Sequence, residues 1–148
     1  MSTVMKGTRL AEFTYLVERC KIREMAEAIE DPNSLYTDPE AAKAEGYADV
    51  IAPPTFGTCV NLWGGPGLKE LLNRLGGDSL KVLHAEQEYE YFGPIHPGDT
   101  LHATIDVADV FIKEGRSGKM EFKVLQTTST NQKGQRVLIG RSTLLEKH

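Results

Sequence analysis

Val50-Ile-Ala-Pro-Pro-Thr-Phe-Gly-Thr-Cys-Val-Asn-Leu-Trp-Gly-Gly-Pro-Gly-Leu-Lys-Glu-Leu-Leu-Asn-Arg-Leu75 is the stretch on which the architecture turns. Val50, Ile51 and Ala52 run into Pro53-Pro54, and Thr55 can then start a helix whose apolar members include Phe56, Val60, Leu62 and Trp63. Gly64-Gly65-Pro66-Gly67 interrupts the pattern, and Leu68, Leu71, Leu72 and Leu75 resume it until Gly76-Gly77. A helical region this apolar, lying in mid-chain, needs cover on many sides. A curved sheet can provide it.

Strands lie on both sides of this region. Upstream, Phe13 to Val17 predicts a short strand, and Ile22, Met25, Ala26 and Ile29 then fall on one face of an amphipathic helix. That helix should end near Glu30, because Asp31 precedes Pro32 and Asn33-Ser34 favours a turn. A second short helix is signed by Asp38 as cap, Pro39 in its first turn, and Gly46 at its end. Downstream, Val82 to Phe92 predicts a strand with Leu83, Ala85, Tyr89 and Tyr91 on one face. His84, Glu86, Glu88 and Glu90 occupy the other, which should meet solvent or a polar surface. Pro94 to Gly98 is a break. Leu101, Ala103, Ile105 and Val107 open the next strand, and a bulge near Asp109 passes its apolar face to Val110 and Ile112. After a turn at Gly115 to Gly118, Met120, Phe122 and Val124 mark another strand. Asn131 to Gly134 turns the chain into a last strand from Val137 to Leu145. Helices first and an antiparallel meander afterwards predict an α+β domain. Its core should pack Phe56, Val60, Leu71 and Leu72 against Ile105, Phe122 and Val124.

The chain has 148 residues, enough for one domain over 1–148 with a sizeable core, and no internal repeat or linker divides it. A formal charge of -4 gives no electrostatic reason to expect nucleic acid or an anionic membrane as partner. Cys20 and Cys59 stand in no ligand or redox spacing and read as buried thiols in a reducing compartment. No signal peptide or membrane-spanning stretch is legible, so a cytoplasmic location is expected.

The short motifs of dinucleotide and phosphate binding are absent, and Gly64-Gly65-Pro66-Gly67 reads as a break or close-packing segment. His84, His96, His102 and His148 have no metal-ligand spacing; Ser34, Ser79, Ser117, Ser129 and Ser142 lack a nucleophile-elbow context. Neither a metal nor a cofactor is expected. The polar cluster to test is Asp31, Asn33 and Tyr36, after the first helix. Such side chains can order water and move protons when their partners are fixed. Equally, Asp31 and Asn33 can stabilise the turn while Tyr36 packs its ring. His96, at the Phe92 to Asp99 corner, reads chiefly as an exposed loop histidine.

Several ordered pieces add a resemblance that covers roughly residues 10–146. They are Ala28-Ile-Glu-Asp-Pro-Asn-Ser-Leu-Tyr-Thr-Asp38, Gly46-Tyr-Ala-Asp-Val-Ile-Ala-Pro-Pro-Thr-Phe56, Leu83-His-Ala-Glu-Gln-Glu-Tyr-Glu-Tyr-Phe92, Pro94-Ile-His-Pro-Gly-Asp-Thr-Leu101 and Thr130-Asn-Gln-Lys-Gly134. Together they resemble a MaoC-like dehydratase domain of the N-terminal, non-catalytic type. The resemblance implies a hot-dog fold, in which a curved antiparallel sheet wraps a central helix and paired domains share a continuous sheet. It also implies reversible hydration of a trans-2-enoyl thioester, or dehydration of an (R)-3-hydroxyacyl thioester, carried on coenzyme A or an acyl carrier protein. Catalytic members carry Asp-x-Asn-Pro-aliphatic-His. Here Asp31 and Asn33 agree, but Ser34 takes the proline position and Tyr36 the histidine position. Tyrosine has a reference pKa of ~10, against ~6.5 for histidine, so Tyr36 does not inherit proton exchange at neutrality.

The resemblance therefore implies a subunit that lines the acyl channel. Its partner would be a second copy or a homologous hot-dog subunit bearing the intact Asp/His pair. In this chain Asp31 and Asn33 would retain ordering roles and Tyr36 an orienting role. A non-enzymatic acyl-thioester-binding subunit and a thioesterase are the alternatives.

Overall fold

The computed structural model describes residues 4–76, 80–115 and 118–147. Residues 116–117 of the expected turn at Gly115 to Gly118, with Gly77, Ser79 and His148, lie outside that set. The elements run β1 (Arg9–Leu16), α1 (Arg19–Ala28), a 3-10 turn (Ser34–Tyr36), α2 (Pro39–Ala44), α3 (Gly57–Cys59), a π turn (Val60–Gly64), α4 (Gly67–Arg74), β2 (Val82–Tyr91), β3 (Thr100–Gly115), β4 (Gly118–Thr130) and β5 (Arg136–Lys147). The strands form one antiparallel sheet in the order β1-β3-β4-β5-β2. The α+β expectation holds.

Local chemistry sets the helix ends. Asp38 accepts from the Glu40 N–H at 2.9 Å, Pro39 opens α2, and Gly46 follows it at φ 89°. At the end of α1 the N–H of Asp31 returns to the Ala26 carbonyl and that of Glu30 to Glu27, closing a Schellman motif. The left-handed residue of that motif is Glu30, at φ 55°. A side chain there costs roughly 1 kcal/mol that glycine avoids. Glu30→Gly is therefore expected to raise stability by about 1 kcal/mol in reversible urea denaturation; a loss of stability would refute the strain.

Two apolar clusters fill the space between helices and sheet. One gathers Phe56, Cys59 and Val60 with Tyr15, Val17, Ile22, Ala26, Tyr36, Leu101, Ala103 and Leu138. The other gathers Leu72 and Leu75 with Leu10, Ile105, Val107, Leu125 and Leu144, and Leu71 packs against it. The expected core is thus right for Phe56, Val60, Leu71, Leu72 and Ile105. Phe122 and Val124 are corrections. The inward positions of β4 are Glu121, Lys123, Leu125, Thr127 and Ser129. Phe122 and Val124 take the outer face, where Phe122 stacks on Phe111 with centroids 5.0 Å apart. Alternation alone does not say which face of a strand is inside, and side chains such as Glu121 and Lys123 are almost never fully buried unless paired. They are buried because Lys123 Nζ lies 3.1 Å from Glu121 and 2.8 Å from Glu146.

Other boundaries shift for similar reasons. β1 starts at Arg9 rather than Phe13, because a register shift between Arg9 and Ala11 turns both Leu10 and Ala11 inward and hides the alternation. The bulge expected near Asp109 lies between Val107 and Asp109 and passes the inner face to Val110. Ile112, named with it, is exposed. The mid-chain helix is broken into α3, the π turn and α4, leaving Leu62, Trp63 and Leu68 exposed. At Gly64 a Cβ would come within 2.8 Å of the Tyr15 ring, so this segment is close-packed against β1. Cys59 is buried, as expected, but Cys20 is exposed.

Candidate functional site

Asp31, Asn33 and Tyr36 are brought together by the turn after α1. The N–H of Asn33 donates to Asp31 Oδ1 at 3.0 Å, and that of Leu35 donates to Asn33 Oδ1 at 3.0 Å. Both side chains therefore shape the turn and start the 3-10 segment that carries Tyr36 into the core. Burial, and next the Asp31 charge, raise the Tyr36 phenol above its ordinary value, while a hydrogen bond with Asn33 acts in the opposite direction. At neutral pH, Tyr36 is a neutral hydrogen-bonding group rather than a base. Asp31 lies on a shallow surface hollow with Ala26, Glu27, Glu30, Pro32 and Thr37, and Tyr36 lines none of the cavities described for this fold. The Tyr36 ring is enclosed by the core, which fits the packing reading of this residue.

A larger cavity, of about 330 Å³, opens between the helices and the edge strand β2. Leu71 and Leu72 line it from α4, Ile105 and Leu125 from the sheet, and Leu144 from β5; Leu62 and Leu68 stand at its exposed rim. Thr58, Asn61, His84, Gln87, Tyr89 and Ser142 supply polar groups. Ser142 donates to Gln87 Oε1 at 2.6 Å, while the hydroxyls of Thr58 and Tyr89 lie 2.6 Å apart. Gly57 and Gly140 make room for the Tyr89 ring, since a Cβ at Gly57 would approach it to 2.5 Å. Asn61 also lines the cavity, and its Oδ1 is a buried acceptor with no hydrogen-bond partner.

Sequence reading missed most of this wall. His84 was expected on the acidic face, but the register shift between His84 and Glu86 turns it to the cavity side with Gln87 and Tyr89. The same shift leaves Leu83 exposed, opposite Leu145. Glu88 and Glu90 do lie on a polar outer face, paired with Arg141. Only the Gly57-to-Tyr89 complementarity could have pointed to the site, and it depends on long-range pairing. His96 is also corrected: it is half-buried, with its Nδ1 2.9 Å from the Val50 carbonyl and its N–H on Asp99, so it ties the corner down.

Four tyrosines give a test of burial. Tyr15 is pushed up to about 12 by burial, and burial is the first cause of the rise at Tyr36, Tyr89 and Tyr91. The fold thus favours neutral phenols, while unfolded tyrosine ionises at ~10. Their contribution to stability is full below pH ~10 and is lost as the pH rises through the folded values. Absorbance and circular dichroism, followed together, should show these phenols ionising with unfolding. Ionisation of Tyr15, Tyr36, Tyr89 and Tyr91 at pH ~10 in a folded chain would refute it.

Comparison with known proteins now gives the class. The family described as "FAS1-like, dehydratase domain region" matches residues 4–139. The described chain superimposes on the HadBC (3R-hydroxyacyl-ACP dehydratase) complex of Mycobacterium tuberculosis with a TM-score of 0.76 and 24% identity, covering 98% of this chain and 99% of that one. It superimposes on a MaoC-like dehydratase from Rhodospirillum rubrum with a TM-score of 0.74 and 19% identity, covering 100% and 97%. These likenesses establish the hot-dog fold. The chain belongs to the FAS1-like dehydratase-region family. It is 40% identical over 133 residues to a UPF0336 protein of Saccharopolyspora erythraea, covering 90% of this chain and 82% of that protein. Among the described residues, no helix is long and apolar enough to cross a membrane.

Proposed function

We propose that this chain is the acyl-binding subunit of an (R)-3-hydroxyacyl-thioester dehydratase, or trans-2-enoyl-thioester hydratase in the reverse direction. The observation that carries the reading is the apolar cavity open at β2, in a chain whose motif holds a buried, neutral tyrosine at the histidine position. Membership of a dehydratase-region family supports the chemistry. The acyl tail of a coenzyme A or carrier-protein thioester lies in the cavity, and a homologous hot-dog subunit supplies the Asp/His pair that activates water and passes protons across the double bond. β2 has ten residues, nearly all exposed, and pairs only with β5, so its free edge suits addition of a partner's strand into a continuous sheet. HadBC is itself a dehydratase complex, which supports a heteromer. Residues 1–148 act as one such unit, in the cytoplasm.

Because Tyr36 replaces the proton-exchanging residue, a non-enzymatic acyl-thioester-binding role is the second reading. Co-purification from the source cell separates the two. A stoichiometric Asp/His-bearing homologue is the expected result; its reproducible absence, with acyl thioester bound, favours the second. A chain that alone turns over enoyl thioester as fast as such a complex overturns both.

A further inference from the structure

Along the sheet, the cavity wall changes character in four steps. Reading across β2, β5 and β4, the rows are Tyr89-Gly140-Thr127, Gln87-Ser142-Leu125, His84-Leu144-Lys123 and Val82-Glu146-Glu121. The last two bring Lys123, Glu121 and Glu146 to the inner face as a buried ion triad, with Lys123 Nζ at 3.1 Å from Glu121 and 2.8 Å from Glu146. Leu72, Val82 and Leu144 line both the main cavity and a crevice, without room for water, whose far wall includes Lys123 and Glu146. From Gly140 to Glu146 the wall runs six residues, about 20 Å at strand spacing. An apolar tail threaded past Leu72 and Leu144 therefore runs directly into paired charges.

We propose that the Glu121–Lys123–Glu146 triad is the floor of the acyl channel and sets the longest acyl group that this protein accepts. The proposal rests on the acyl-binding reading above. Before the floor, each added methylene leaves water for apolar wall and tightens binding about fourfold. At the floor, another methylene must part a desolvated ion pair, which costs more than that gain. The triad thus acts as a stop rather than as a binding group.

The test uses calorimetric titration of the full chain with butanoyl-, octanoyl-, dodecanoyl- and hexadecanoyl-coenzyme A. Wild type should gain affinity with length and then reach a plateau. The triple variant Glu121→Leu/Lys123→Ala/Glu146→Leu removes the charges and frees the space of the lysine stem, so the plateau should move to longer tails. The longest ligand should bind at least ~10-fold tighter, as expected for two or more newly buried methylenes. Val82→Phe narrows the passage from the exposed edge and should move the plateau to shorter tails; it decides the matter if the triple variant fails to fold. A plateau that neither folded variant shifts overturns the triad as floor while leaving the acyl channel standing. Failure of wild type to bind any length overturns the channel itself, and this proposal with it.

Discussion

Purified on its own, the chain is expected to hydrate crotonyl-coenzyme A about 10²–10⁴-fold more slowly than its complex with an Asp/His-bearing homologue, the contribution of one positioned acid/base. Asp31 Oδ1 accepts from the Asn33 N–H, and Asn33 Oδ1 accepts from Leu35, so their first task is local. Burial and the Asp31 charge keep the Tyr36 phenol protonated, and its ring belongs to the core rather than to the cavity wall. Nothing in this trio exchanges a proton readily at neutrality. Loss of the conjugated enoyl-thioester absorbance would follow the reaction, and product mass and chirality would identify hydration. Robust turnover by a folded homodimer, surviving Tyr36→Phe and lost in Asp31→Ala, would overturn this account.

The largest stability effect is expected at Phe56. Its side chain is 0% exposed and meets Tyr15 edge-on, with ring centroids 6.3 Å apart. Phe56→Ala removes a ring enclosed by α1, β1 and the sheet, and is expected to cost about 3–5 kcal/mol. Phe122→Ala provides the contrast. Phe122 is half-buried on the outer face and loses chiefly its stack on Phe111, so about 1–2 kcal/mol is expected. Urea denaturation of both variants would measure the difference. Equal losses would mean that the inner and outer faces of β4 are assigned wrongly.

That contrast marks where sequence reading stopped. The pattern of β4 announced a strand, and Phe122 and Val124 were its apolar set, yet the inner set includes Glu121 and Lys123. A buried lysine is affordable only with its carboxylates in place, and Glu146 lies 23 residues further along the chain. His84 is similar. Its side of β2 depends on one shift in pairing with β5, which moves it from the acidic face to the cavity. The motif was more legible because its geometry is local: Asp31, Asn33 and Leu35 satisfy each other's backbone within a single turn.

The sequence by itself determined the α+β order, the ends of α1 and α2, the bulge in β3 and the departure at Tyr36. The helix ends follow from dihedral preferences and hydrogen bonds of residues a few positions apart, the bulge from a break in alternation along one strand, and the departure at Tyr36 from the identity of a single residue. Only the tertiary structure decided which strand faces turn inward, that β2 is left at the edge, and that a cavity runs from Tyr89 towards Lys123. Those depend on register between distant strands, where a one-residue shift reverses every side chain, and on charges that become buriable only when folding brings their partners together.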